Sequence, residues 1–146
     1  MNSKDKGNIG EAIMLAEFIK RGIQVSIPFG DNARYDLIID LNGKLYKVQV
    51  KYCNERISVN NSVACPCSSS YNHTTNKVKK RYIDDIDFIC FYLAEWNEKL
   101  ILPIEKIANQ LTITFRKDKP QNALRNVNYV SDYRLSDFLD NYNNCG

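Results

Sequence analysis

Asp36, Gln49 and Lys51 bring an acid, an amide and an ammonium into one short stretch of chain. Gln49 and Lys51 lie two apart in the alternating run Lys44 to Tyr52. As strand residues they share a face with Lys47, while Tyr46, Val48, Val50 and Tyr52 occupy the other. Asp36 stands near the start of the preceding run, Tyr35 to Leu41, and the intervening Asn42-Gly43 is a strong two-residue hairpin signal. Antiparallel pairing brings an acid at one strand's beginning near residues late in its neighbour. Such a set suits metal-assisted phosphodiester hydrolysis. Mg²⁺ takes hard oxygen ligands and keeps several waters, so a carboxylate, an amide oxygen and backbone carbonyls suffice beside a substrate phosphate. The ion polarises the phosphoryl oxygen and acidifies water; the lysine orients that water or stabilises charge on the phosphorane. The same alternation also describes a solvated strand face, as Asp40 and Lys47 illustrate.

The elements around these residues follow from periodicity. Asn8 to Arg21 reads as a helix, with Ile9, Ala12, Ile13, Ala16 and Ile19 on one arc, Leu15 and Phe18 extending it, and Gly22 ending it. Glu17 falls off that arc. Glu11 falls at its margin, between Leu15 and Phe18, where a carboxylate needs a partner, a metal or an opening to water. Ile23 to Pro28 reads as a short strand and residues 29–34 as a turn-rich loop. The polar stretch Cys53 to Asn76 holds an irregular hairpin around Arg56-Ile57-Ser58-Val59 or a long surface excursion; loops of this length in small domains are usually functional or mobile. Val78 to Asp85 is expected to form a short helix. Phe88 to Trp96, Leu100 to Pro103 and Thr112 to Phe115 are expected to be strands, and Ile104 to Gln110 a helix. A last helix carries Leu135, Phe138, Leu139 and Tyr142, with Ser131-Asp132 as caps. The order is helix, three strands, helix, strands, helix, which makes a mixed α/β fold.

At 146 residues, with 44% apolar and 11% aromatic types, the chain fits one domain with a sizeable core. Its longest apolar stretch, Phe88 to Ala94, is a buried strand rather than a membrane span. An N-terminus without an apolar signal segment, and an odd count of five cysteines, point to free thiols in the cytoplasm. Twenty basic against seventeen acidic residues would suit many soluble enzymes, and that balance alone does not identify a nucleic-acid binder. The cations nevertheless cluster, at Lys77, Lys79, Lys80 and Arg81 and again at Arg116, Lys117, Lys119 and Arg125.

Tyr35-Asp36-Leu37-Ile38-Ile39-Asp40 followed by Val48-Gln49-Val50-Lys51 resembles the core of the PD-(D/E)XK nuclease superfamily. Gly7-Asn8-Ile9-Gly10-Glu11 resembles the first-helix motif of many members, including archaeal Holliday-junction resolvases. Short length, Gln in place of an acid and the polar segment after the catalytic strand are most similar to homing endonucleases of cyanobacterial group I introns. The resemblance implies a restriction-endonuclease-like mixed sheet flanked by helices, in the order helix, three strands, helix, strand. It implies one nuclease domain over 1–146, with its catalytic core at about 8–96 and an extension at about 97–146. It implies a Mg²⁺-dependent, site-specific DNA endonuclease in which Asp36 is the principal metal ligand, assisted by Glu11, and Lys51 is the family lysine. Gln49 fills the place of an acid; it can ligate through oxygen but adds no charge, which raises the importance of Glu11 and puts a two-metal mechanism in doubt. Tyr35 stands where the nominal proline would be.

A chain of this length spans about 40 Å, or roughly ten base pairs of duplex. Cutting both strands with one site per chain calls for at least a homodimer, and the intron-encoded relatives imply a homotetramer. The apolar stripe of the last helix serves as an interface or packs on its own core. Arg56, Ser58, Asn60 and Asn61 have the donors and acceptors to read bases from a two-stranded ribbon, while Lys77, Lys79, Lys80 and Arg81 would hold phosphates. A polar loop beside a solvated helix is the competing reading of that region. Cys53, Cys65, Cys67 and His73 invite a zinc site, but the Cys-Pro-Cys spacing is too tight for the usual pattern, and free thiols are favoured. Junction resolvases, restriction-type enzymes and a catalytically silent DNA-binding module are the remaining functional alternatives.

Overall fold

The structure, a computed structural model, describes residues 1–54, 60–73, 76–80, 85–107 and 110–144, with side chains at 69–73, 76–80 and 143–144 left out of the description. Helix α1 spans Ser3–Lys20 and starts five residues before the predicted position. Asn2 explains the earlier start: its side chain accepts the Asp5 N–H at 2.9 Å, capping the first turn. The buried seam of α1 runs through Gly10, Met14 and Phe18, while Ala12, Ala16 and Ile19 are exposed. This corrects the wheel reading. Apolar residues lie on several sides of α1, and the seam is chosen by close approach to the sheet. A Cβ at Gly10 would stand 3.4 Å from Val50 Cγ1 and 3.6 Å from Tyr52 Cβ. Glu11 adjoins that seam, and Glu17 is tied to Lys99 and Lys20, each at 3.3 Å.

The central sheet has the order β1-β2-β3-β7-β8, formed by Val25–Ser26, Leu37–Leu41, Lys44–Cys53, Phe88–Leu93 and Glu98–Pro103. The β3–β7 pair is parallel and its other pairs are antiparallel. The turn between β2 and β3 is the two-residue hairpin expected, with Leu41 opposite Lys44 and positive φ at Asn42 (56°) and Gly43 (88°). The Gly43 N–H is held by Asp40 Oδ1 at 2.8 Å.

One face of this sheet, through Leu37, Ile39, Val48, Val50 and Cys90, packs on Met14 and Phe18 of α1 and on Leu135 and Leu139 of α3 (Leu135–Asn144). The stripe on α3 is therefore packed on its own core. The other face, through Ile89, Phe91, Leu93, Leu100 and Leu102, is covered by a second sheet and by the short helix α2 (Ile104–Ile107). That sheet has the order β10-β9-β4, from Asn128–Tyr129, Thr112–Arg116 and Ser62–Pro66. β5 (Ser69–His73) and β6 (Asn76–Lys80) form a separate antiparallel ribbon.

The mixed, helix-flanked sheet agrees with the restriction-endonuclease-like fold. The element order needs one correction. Between β3 and β7 the described residues form strands, and Val78–Lys80, expected in a helix, extend in β6. Lys77 to Arg81 carries charge but no 3.6-residue apolar period, so nothing in it favours helix over ribbon.

Candidate active site

Asp36 sits one residue before β2, at the point where that strand leaves its neighbour. Its backbone N–H donates to the Val48 carbonyl at 2.9 Å, and its Oδ2 accepts the Val50 N–H at 2.8 Å. The carboxylate thus takes up a backbone donor of β3 beyond the end of β2 and is fixed by it. Leu37 is opposite Val48, so Asp36 comes level with Gln49, and alternation places Lys51 on the face of Gln49. That face pairs Gln49 with Ile89 and Lys51 with Phe91.

Glu11 reaches the same point from α1 and hydrogen-bonds the Asp36 side chain. Burial pushes the Glu11 carboxyl up to about 7, with the Asp36 charge and the hydrogen bond between them adding to the shift. Asp36 is also raised by burial, which outweighs the opposing pull of the Val50 N–H, the Glu11 hydrogen bond and the Lys51 charge. Both carboxyls at this spot are therefore held above their ordinary range, Glu11 by burial and by the Asp36 charge, Asp36 by burial. A divalent cation would neutralise that pair without a proton. The two carboxylates are hard oxygens of the kind that suit Mg²⁺, and the register sets Gln49, with a third and uncharged oxygen, level with Asp36. Among the described residues no three His, Cys, Asp or Glu converge on one metal-sized point, so the amide and water must complete any shell here.

Gln49 Nε2 lies 3.5 Å from the Val50 carbonyl, at the limit of a hydrogen bond, so the amide is easily re-aimed. Lys51 Nζ donates to the Ser68 carbonyl at 3.1 Å, which ties it to the turn between β4 and β5. Its charge still reaches Asp36. A cleft of about 230 Å³ opens over Glu11 and Asp36, walled by Tyr35 and by the β1–β2 connection. Asp31 lines it as well. In sequence, Asp31 among Gly30, Asn32 and Ala33 carries only a turn signal, with nothing to mark it as a cleft residue.

The expected base-reading residues are placed unevenly. Arg56, Ser58 and Arg81 lie outside the described residues. Asn60 is exposed. Asn61 has φ 53°, accepts the Lys117 N–H on its carbonyl and donates from Nδ2 to Asp118 at 3.2 Å, so it closes a turn. Lys77, Lys79 and Lys80 fall on β6, where the backbone register sets Lys77 opposite Asn72 and Lys79 opposite Ser70. In the second basic cluster Lys119 pairs with Asp132 at 2.7 Å and lies over the Tyr129 ring. Cys53, Cys65 and Cys67 are buried free thiols within the core, and burial raises the Cys67 thiol to about 12.

The comparisons with known proteins agree with this geometry. A family model described as PD-(D/E)XK endonuclease matches residues 1–136. The structure of a bacterial homing endonuclease, I-Ssp6803I, superposes with a TM-score of 0.78 at 27% sequence identity, covering 99% of this chain and 97% of that one. No curated protein matches the chain.

Proposed function

The chain belongs to the PD-(D/E)XK endonuclease family, and we propose that it is a Mg²⁺-dependent homing endonuclease whose site is Asp36, Glu11, Gln49 and Lys51. The observation that carries this reading is the fixed Asp36 carboxylate. It is aimed by the strand that bears Gln49 and Lys51, and it is met by Glu11 from α1. The homing assignment is supported by the likeness to I-Ssp6803I over nearly all of both chains. That coverage also favours residues 1–146 as one nuclease domain.

In this reading Asp36, Glu11 and the Gln49 oxygen would hold Mg²⁺. The bound ion supplies Lewis-acid polarisation of the phosphoryl oxygen and a more acidic water. Asp36 acts from a position already set by the Val50 N–H, so little reorganisation accompanies substrate arrival. Glu11 would have to lose its proton to serve as a ligand, which would couple cation binding to pH. Lys51 leaves or shares its Ser68 carbonyl to donate toward the attacking water or the charge growing on the phosphorane. Gln49 supplies an oxygen without charge, so the site favours one well-held ion over two.

The β5–β6 ribbon, of a form that fits the major groove, would bring Lys77, Lys79 and Lys80 to the duplex, and Arg56, Ser58, Asn60 and Arg81 flank it in sequence. Asn61 is better read as a structural turn residue than as a base contact. Both strands of a duplex need two sites, so the working form is a homodimer or a homotetramer acting in the cytoplasm. Among the described residues no helix is long and apolar enough to cross a membrane.

Cleavage of a linear duplex carrying the intron-insertion site, compared with a four-way junction of the same sequence, tests the assignment. Mg²⁺-dependent cutting of the duplex at one position is expected. Cutting of the junction alone would replace homing with junction resolution.

A further inference from the structure

Phe29 is wholly exposed, at 107% of its reference area, and Ile27 is 65% exposed. Both lie on the connection between β1 and β2, where Ile27, Pro28 and Gly30 wall the cleft that opens over Glu11 and Asp36. The Pro28 ring sets its own φ, and Gly30 holds φ at 82°, a turn that side-chain-bearing residues avoid. Between them an aromatic ring stands out in water. The end of the same segment is fastened by the Arg34–Asp85 ion pair and by the Asp36 N–H on the Val48 carbonyl. A single exposed apolar residue is ordinary. Two on one short connection at the rim of the cleft over Glu11 and Asp36 call for an occupant.

We propose that Phe29 is a DNA-contacting residue that wedges into and loosens the base step beside the phosphate seated at Asp36 and Lys51. The proposal rests on the endonuclease reading of that site, because Phe29 stands between Pro28 and Gly30, which wall the cleft over Asp36, and projects to water from that rim. Apolar side chains act on duplexes in this way, unstacking a step so that bent DNA meets more protein surface. Here the bend would carry the backbone down toward the carboxylates. A contact between copies of the chain is the weaker fit. Stable interfaces bury about 1,200–2,000 Å², far beyond what two side chains on a turn provide.

The test compares the wild type with Phe29→Ala on a short duplex centred on the wild-type cut and on the same duplex with a mismatch beside that cut. Phe29→Ala is expected to melt and elute like the wild type. It should cut the matched duplex about tenfold more slowly, the size of one lost stacking contact. On the mismatched duplex, whose step is already loosened, most of that loss should vanish. Phe29→Trp should show quenched emission when the duplex is added in Ca²⁺, a readout independent of cleavage. At limiting Mg²⁺, Asp36→Asn should slow cutting of both duplexes alike, by at least about 100-fold; wild-type cutting there would overturn the site itself rather than the wedge. Wild-type rates for Phe29→Ala on the matched duplex, an equal loss on both duplexes, or elution as a smaller assembly would each overturn the wedge.

Discussion

The Val50 N–H donates to Asp36 Oδ2 at 2.8 Å, so the strand that presents Gln49 and Lys51 also aims the Asp36 carboxylate. In the proposed site, catalytic geometry and sheet pairing would be one structure. Removing the Asp36 charge should therefore damage the chemistry more than the fold. Asp36→Asn keeps an oxygen for Val50 and is expected to weaken Mg²⁺ half-saturation of cleavage by at least about 100-fold, since even groups that only support a ligand are worth about 10–100-fold. Its thermal melting should stay close to that of the wild type. A Mg²⁺ titration of cleavage rate, with melting curves alongside, checks both statements.

Gln49→Glu restores the missing charge on the same face. A third carboxyl would then join Glu11 and Asp36, both already raised by burial. The expected outcome is a chain that needs less Mg²⁺ for half-maximal cleavage and is less stable without it. Equal Mg²⁺ requirements for the two proteins would show that Gln49 lies outside the ion's shell.

Glu11 gives the pH dependence a definite sign. Its carboxyl is raised from 4.5 to about 7 in the folded chain, so the folded state binds this proton more tightly than the unfolded state. Its stabilising contribution is complete below about 4.5 and is lost as pH climbs through about 7. Solvent screening at this half-buried site holds the effect to on the order of 1 kcal/mol. Without divalent ions the melting temperature should fall across that window. Glu11→Gln should flatten the fall, and Mg²⁺ should oppose it. Activity runs the other way, rising with pH as the carboxylate becomes available, with a lower midpoint at higher Mg²⁺.

Gly10 sets how closely α1 lies on β3. An added methyl would make ordinary contacts, the nearest at 3.4 Å from Val50 Cγ1. Gly10→Ala should thus be neutral or stabilising by up to about 1 kcal/mol through helix propensity. Gly10→Leu overfills the seam and should cost about 1–3 kcal/mol. It also lifts Glu11 away from Asp36, so its cleavage loss should exceed its stability loss. Urea unfolding paired with initial cleavage rates measures the two effects.

Much of this site was legible in sequence because its signals are local. Alternation across Lys44 to Tyr52 and the Asn42-Gly43 turn place Gln49 and Lys51 together and bring Asp36 level with them. The margin position of Glu11 flagged a carboxylate in need of a partner, which the structure supplies as Asp36. What stayed hidden depends on distant pairing. The apolar sides of α1 could not be ranked without knowing that Gly10 meets Val50 and Tyr52. The layer made by β4 and β9 joins Val63 to Phe115, a pairing no local pattern encodes. Asp31 sits on a turn-rich segment, where composition says loop and nothing says that the acid lines the cleft.

The most direct measurement is duplex cleavage by Lys51→Ala in saturating Mg²⁺, with binding to the same duplex followed in Ca²⁺. The account predicts binding close to that of the wild type and a cleavage rate lower by about 10²–10³-fold, the size of one lost charge-stabilising donor. Cleavage at the wild-type rate would contradict it, because the lysine on the Gln49 face would then have no part in the reaction.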